Sequence, residues 1–194
     1  MKRVLTASLV FTSFIWFSAC DSGTTNEQET TTSTETSETT ASDTTLTDNS
    51  RELMAFAARN NMLQVELGKL ATEKGMTDDV KQQGQQLMTW YEAKQKELAQ
   101  LAREHNITLP QQPEEAERKD LDELRNTKPA EFDRTYWKTV ANMQDNALDK
   151  YDSNLKDVTE ANTHPFNLWA RSTMKELQAQ RDKTAALRTQ LKMD

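Results

Sequence analysis

Residues 61–74 read NMLQVELGKLATEK, and the spacing of apolar residues in this stretch decides the fold. Stepping about 100° per residue around a helix gathers Phe56, Leu63, Leu67 and Leu70 on one face, with Glu66 roughly 70° from its centre. That carboxylate therefore rides at the edge of the buried stripe. Gly75 follows as a helix stop, and Asp48, Asn49 and Ser50 offer capping side chains at the other end, so the reading predicts a first helix over residues 50–74.

The same period recurs downstream. Thr77 is a candidate N-cap, with Asp78 and Asp79 in the favourable first turn of a second helix whose seam is Val80, Leu87, Tyr91, Leu98 and Leu101, ended by Asn106. Two prolines make residues 107–113 a connector, and residues 114–125 read as a short helix with Leu121 and Leu124 turned inward. Pro129 opens a helix striped by Phe132, Tyr136, Val140, Met143, Ala147 and Tyr151, expected to continue to residue 160. A last helix starts at Pro165 and carries Phe166, Trp169, Thr173, Leu177, Gln180, Thr184, Leu187 and Leu191. No alternating apolar run suggests a strand. The fold class is all-α: an antiparallel four-helix bundle of two hairpins, with one short extra helix in the central connection. Stripes that use 3-4-4 as well as 3-4 spacing and carry aromatic residues argue against an extended coiled coil.

The chain begins differently. Lys2 and Arg3 precede an apolar run over residues 4–17, too short to span a bilayer as a mature helix, which reads as an export signal. Phe17, Ser18 and Ala19 then precede Cys20, the single cysteine of the chain. The order resembles a bacterial lipobox, with Phe17 in place of the usual leucine, and it implies a signal peptide over residues 1–19 and lipid, palmitate included, on Cys20. Lipid contributes about 0.8 kcal/mol per buried CH₂, so several acyl chains on one terminus hold a protein on a membrane without a spanning helix. Residues 20–50, nearly all Thr, Ser, Glu and Asp after the cysteine, cannot bury enough apolar surface to fold and read as a tether. The domain is then residues 51–194.

Charge and composition narrow the function. Seven of the 31 acidic residues lie in the tether and two of the 24 basic ones in the signal, which leaves the domain close to neutral. Nothing forms a basic footprint for nucleic acid. With Cys20 assigned to lipid, the domain has no thiol for disulfides, zinc sites or nucleophilic catalysis. The residues most specific to a family are Val65-Glu66-Leu67-Gly68-Lys69-Leu70-Ala71, Val80-Lys81, Leu98 through Leu109-Pro110, and above all Phe132-Asp133-x-x-Tyr136. On these the domain resembles a bacterial family of unknown function with a ferritin-like fold, whose members are often described as outer-membrane proteins.

That resemblance implies inward ligands: an Asp-His pair in the second helix, a histidine in the fourth, and a Leu-Pro-x-Leu-x-x-His pattern in the last. The matching positions here are Trp90-Tyr91, Gln144 and Gln180, with Lys175 in place of the proline. Glu66 alone matches among the polar inward positions. The chain has no Glu-x-x-His pair of the kind that grips a metal from one helix face, and its two histidines, His105 and His164, fall at a helix end and in a connector. The expectation is therefore no metal, no cofactor and no catalytic residues, with Glu66, Tyr91, Gln144 and Gln180 as a candidate inward polar cluster. Trp137, Trp169 and the methionines read as packing. The functional expectation is a non-enzymatic lipoprotein of the bacterial cell envelope, periplasmic and anchored through Cys20, that binds an envelope protein or serves structurally. The competing reading is a ferritin-like metal-binding or oxidoreductase domain built from Glu66 with carboxylates such as Asp133, Asp145 or Glu176. A small-molecule pocket around Tyr91 and Gln144 stands between the two.

Overall fold

The computed structural model describes residues 46–192. The export signal, Cys20 and the tether as far as residue 45 lie outside the described residues. Four helices of 27 residues form the frame: α1 (Asp48–Lys74), α2 (Asp78–Glu104), α4 (Pro129–Leu155) and α5 (Pro165–Leu191). Each is about 40 Å long. Between α2 and α4 lie a single 3-10 turn, Ala116–Arg118, and the short α3 (Lys119–Asn126), which buries Leu121 and Leu124 as expected. No strand occurs among the described residues. No helix among them is long and apolar enough to cross a membrane.

The helix ends follow from local chemistry. Thr77 caps α2, its hydroxyl accepting from Val80 N at 3.4 Å, and Asn106 beyond the other end takes the left-handed conformation at φ 54°. Pro129 and Pro165 occupy first-turn positions of α4 and α5, where the missing N–H costs no helical bond. Boundaries move at the short helix, where α3 begins at Lys119 rather than at residue 114, and at two of the long ones. α1 begins at Asp48 because Thr47, not one of the three residues after it, supplies the cap, its hydroxyl accepting from Ser50 N at 3.1 Å. Leu46 is buried in an apolar cluster with Leu53, Tyr151 and Phe166, so the last residues of the composition-defined tether belong to the folded part. α4 stops at Leu155 rather than near residue 160, because Arg171 reaches back from α5 to the carbonyls of Val158, Thr159 and Asn162 and holds that segment as a loop.

α1 and α2 form the broadest helix pair, and their closeness has a specific cause. A Cβ on Gly68 would sit 2.6 Å from the Gly84 carbonyl oxygen, and one on Gly84 would sit 2.5 Å from Ala71 Cβ. Only glycine admits this approach of the two backbones. α1 also packs on α4, and α4 on α5, whereas α2 and α5 meet thinly through long side chains. The interior falls into two apolar clusters, one around Leu67, Leu87, Tyr136, Trp137 and Leu177, the other around Leu53, Met54, Leu98, Tyr151 and Phe166.

One carboxylate joins the hairpins. Asp133, in the first turns of α4, accepts from Met76 N at 2.8 Å, Thr77 N at 2.9 Å and the Thr77 hydroxyl at 2.7 Å. Its neighbours Phe132 and Tyr136 are fully buried. The Phe-Asp-x-x-Tyr motif is thus a structural clasp: two aromatic rings seat α4 in the core while the aspartate pairs the backbone of the α1–α2 turn.

Candidate functional site

Two places can carry function, one inside the bundle and one on its surface. The interior one is a layer of neutral polar side chains. Asn61 bonds Gln95 and Gly68 packs on Gly84, a register that brings Gln64 of α1 to the level of Tyr91 of α2. Asn60 and Leu63 share a wall with Met143 and Asn146, which brings Gln144 of α4 near the same level. Gln64, Tyr91 and Gln144 are all sealed from solvent. Both amide atoms of Gln64 and Gln144, together with the Tyr136 hydroxyl, Trp137 Nε1 and Thr173 Oγ1, have no hydrogen-bond partner among the described residues. Burial pushes the phenols of Tyr91, Tyr136 and Tyr151 far up, so they stay protonated; Asn60 lies near enough to pull Tyr91 back slightly without reaching bonding geometry. This layer holds hydrogen-bonding groups but no charge, and amides with protonated phenols are poor metal ligands.

Of the four residues expected to cluster inward, the structure buries Tyr91 and Gln144. Gln180 is half-buried at the edge of its stripe. Glu66 is half-exposed and pairs with Lys69 at 2.7 Å, so it leaves the cluster. The inward polar residue of α1 is Gln64 instead. The reason is that α1 buries two faces, one against each neighbour: Ala57, Asn61, Gln64, Gly68 and Ala71 recur at 3-4 spacing and are all buried, although only the alanines are apolar. That stripe of small and amide residues was the available signal. A hydrophobic count passes over it.

The surface site is a groove of about 930 Å³ between α1, α2 and the connector that follows α2. The connector crosses α1 as a strap fastened at two places. Arg59 Nε bonds Glu117 at 2.8 Å, with Glu114 at 3.7 Å, and Lys74 Nζ bonds the Arg125 carbonyl at 2.5 Å. Met62, Leu63, Val65 and Leu121 lie within the groove, and Glu66 is on its wall.

The acids named for a metal site are engaged elsewhere. Asp133 is the clasp, and Asp145 pairs with Arg181 at 2.7 Å. Glu176 accepts from Trp90 Nε1 at 2.9 Å and Lys94 Nζ at 3.0 Å, in a ladder that continues from Lys94 to Glu97 and on to Trp169 Nε1. Burial works against the Glu176 carboxylate, but the bonds from Trp90 and Lys94 outweigh it and hold its pKa below the usual range. Trp90 and Trp169 therefore brace the α2–α5 seam, while Trp137 is in the core. His164 caps α5, Nδ1 accepting from Phe166 N at 3.2 Å, and its ring lies 4.7 Å from that of His105 at the end of α2. Among the described residues no group of three or more His, Cys, Asp or Glu side chains is arranged to hold a metal ion.

These features define an all-helical bundle of two clasped hairpins with a strapped groove on one flank. The family model described as Domain of unknown function (DUF4142) matches residues 35–187, most of the chain, and the chain belongs to that family. No curated protein and no solved structure matches it.

Proposed function

We propose that this chain is a lipid-anchored lipoprotein of the bacterial cell envelope, in which a ferritin-like four-helix bundle on the periplasmic side acts as a non-catalytic binding or structural module. The single observation that carries the non-catalytic half is the engagement of Asp133, Asp145 and Glu176 in a clasp, an ion pair and a tryptophan-lysine ladder. Carboxylates held by structural partners are not free to converge on an ion, and the interior layer offers only neutral groups in the place of the family's expected histidines. The anchoring half rests on the residues 4–17 signal and on Cys20. The Thr/Ser/Glu-rich composition of residues 21–45 supports reading that stretch as a spacer between Cys20 and the bundle.

The test is metal content. The full chain, purified without a His tag, is measured by elemental mass spectrometry before and after anaerobic exposure to iron and to manganese. Substoichiometric metal in both states is the expected result. Stoichiometric metal that disappears in Glu66→Ala overturns the non-catalytic reading in favour of a carboxylate metal site on the groove wall.

A further inference from the structure

The groove beneath the strap carries charges of both signs, only some of them in ion pairs. Four rim ions are paired locally: Glu66 with Lys69 at 2.7 Å and Asp122 with Arg125 at 2.6 Å. Four others make no side-chain hydrogen bond or ion pair among the described residues: Glu92 and Lys96 on the α2 wall, Glu115 and Arg118 on the strap wall. All four are exposed. Between the walls the floor is Met62, Leu63, Val65 and Leu121, and the volume of about 930 Å³ falls within the roughly 300–1,000 Å³ of small-molecule pockets. The trough therefore pairs an apolar floor with one cation and one acid outside any ion pair on each side, Glu92 also lying in the field of Lys69.

We propose that this groove binds a single-chain zwitterionic amphiphile of the lysophospholipid class. One acyl chain covers the floor along α1 between the two fastenings of the strap. Lys96 and Arg118, reaching from opposite walls, hold the phosphate, for which the guanidinium fork is well shaped. Glu92 and Glu115 face the ammonium group. A fatty acid uses the cations but sets its carboxylate beside two acids with nothing for them to hold, and a multiply charged head meets the same two acids more strongly. The zwitterion alone engages all four. The inference deepens the reading of the bundle as a binding module and rests on it: the ligand class is chemistry that a membrane-anchored domain meets at its own surface.

The experiment is native mass spectrometry of the full chain titrated with palmitoyl lysophosphatidylethanolamine, and separately with palmitate, below their aggregation concentrations. The expected result is one lysophospholipid per chain, with palmitate at least about tenfold weaker. Lys96→Ala and Arg118→Ala each weaken the lysophospholipid about tenfold, since each removes one charge-assisted contact from an exposed residue that the fold does not use. Val65→Trp fills the floor and abolishes binding, with helicity checked by circular dichroism. Binding unchanged in both charge variants, or palmitate bound as tightly as the zwitterion, overturns the assignment. A photocrosslinker at Met62 separates this failure from that of the module reading. Reproducible capture of a protein, or of the acidic segment 21–45, overturns the lipid ligand and leaves a binding module standing, whereas no capture of any species overturns both.

Discussion

The two sides of α2 are built on opposite principles. Against α1 it presents Gly84, and the backbones come so close that no Cβ fits at Gly68 or Gly84. Against α5 it presents Trp90, Lys94 and Glu97, and the helices are held apart by a ladder of side chains bridged by hydrogen bonds. The first interface is closest where it is steric; the second is polar and half-exposed. Close packing is intolerant of added volume, whereas an exposed ladder is tolerant, because water and neighbouring groups replace its bonds at small cost.

Four measurements break or sharpen that contrast. Asp133→Ala, which leaves the two turn amides without their acceptor at the head of the close pair, is expected to lower unfolding free energy by about 3 kcal/mol in a urea titration. Gly68→Ala comes next, at about 2 kcal/mol, despite the better helix propensity of alanine, because the atom it meets is the Gly84 backbone oxygen and cannot swing away. In the interior layer, Gln144→Leu removes two buried unpaired amide atoms and is expected to stabilise by about 1 kcal/mol, while Gln180→Leu at the edge changes stability by less than about 0.5 kcal/mol. A loss of stability in Gln144→Leu means that the layer is a satisfied network after all.

The ladder gives a small effect. Lys94→Met is expected to cost less than about 1 kcal/mol, discounted because the side chains of Glu176 and Glu97 are each more than a third exposed. Its pH dependence has a definite sign. The folded-state pKa of Glu176 is depressed below its ordinary 4.5, so its contribution is present above that value and is lost as pH falls through the lower folded value. Thermal melts of the wild type should therefore decline more steeply on acidification below about pH 4.5 than those of Lys94→Met.

How much of this was legible in the sequence depended on what each signal encodes. The long helices were readable because leucines and aromatics at 3-4 spacing report burial directly, and Thr77, Asn106 and Pro129 mark ends by local chemistry alone. The second buried face of α1 was not, since glycine carries no side chain and glutamine a polar one, so neither reports burial through an apolar pattern; only the closeness of α2 makes them interior. The same limit displaced the candidate site. Tyr91 was found on the apolar seam of α2 and Gln144 through the position of a family histidine, whereas Glu66 was drawn inward by a family pattern that its pairing with Lys69 does not follow. Asp133 entered the competing metal reading as a candidate carboxylate because nothing local reveals that its partners are amides 56 and 57 positions earlier in the chain.

That separation has a consequence for how the fold closes. The α1–α2 hairpin carries its glycine contact within itself, whereas the amides of Met76 and Thr77 take their acceptor from α4. The first hairpin is thus self-sufficient along its length and incomplete at its tip. One aspartate from the second hairpin closes that tip and fixes where the second hairpin belongs.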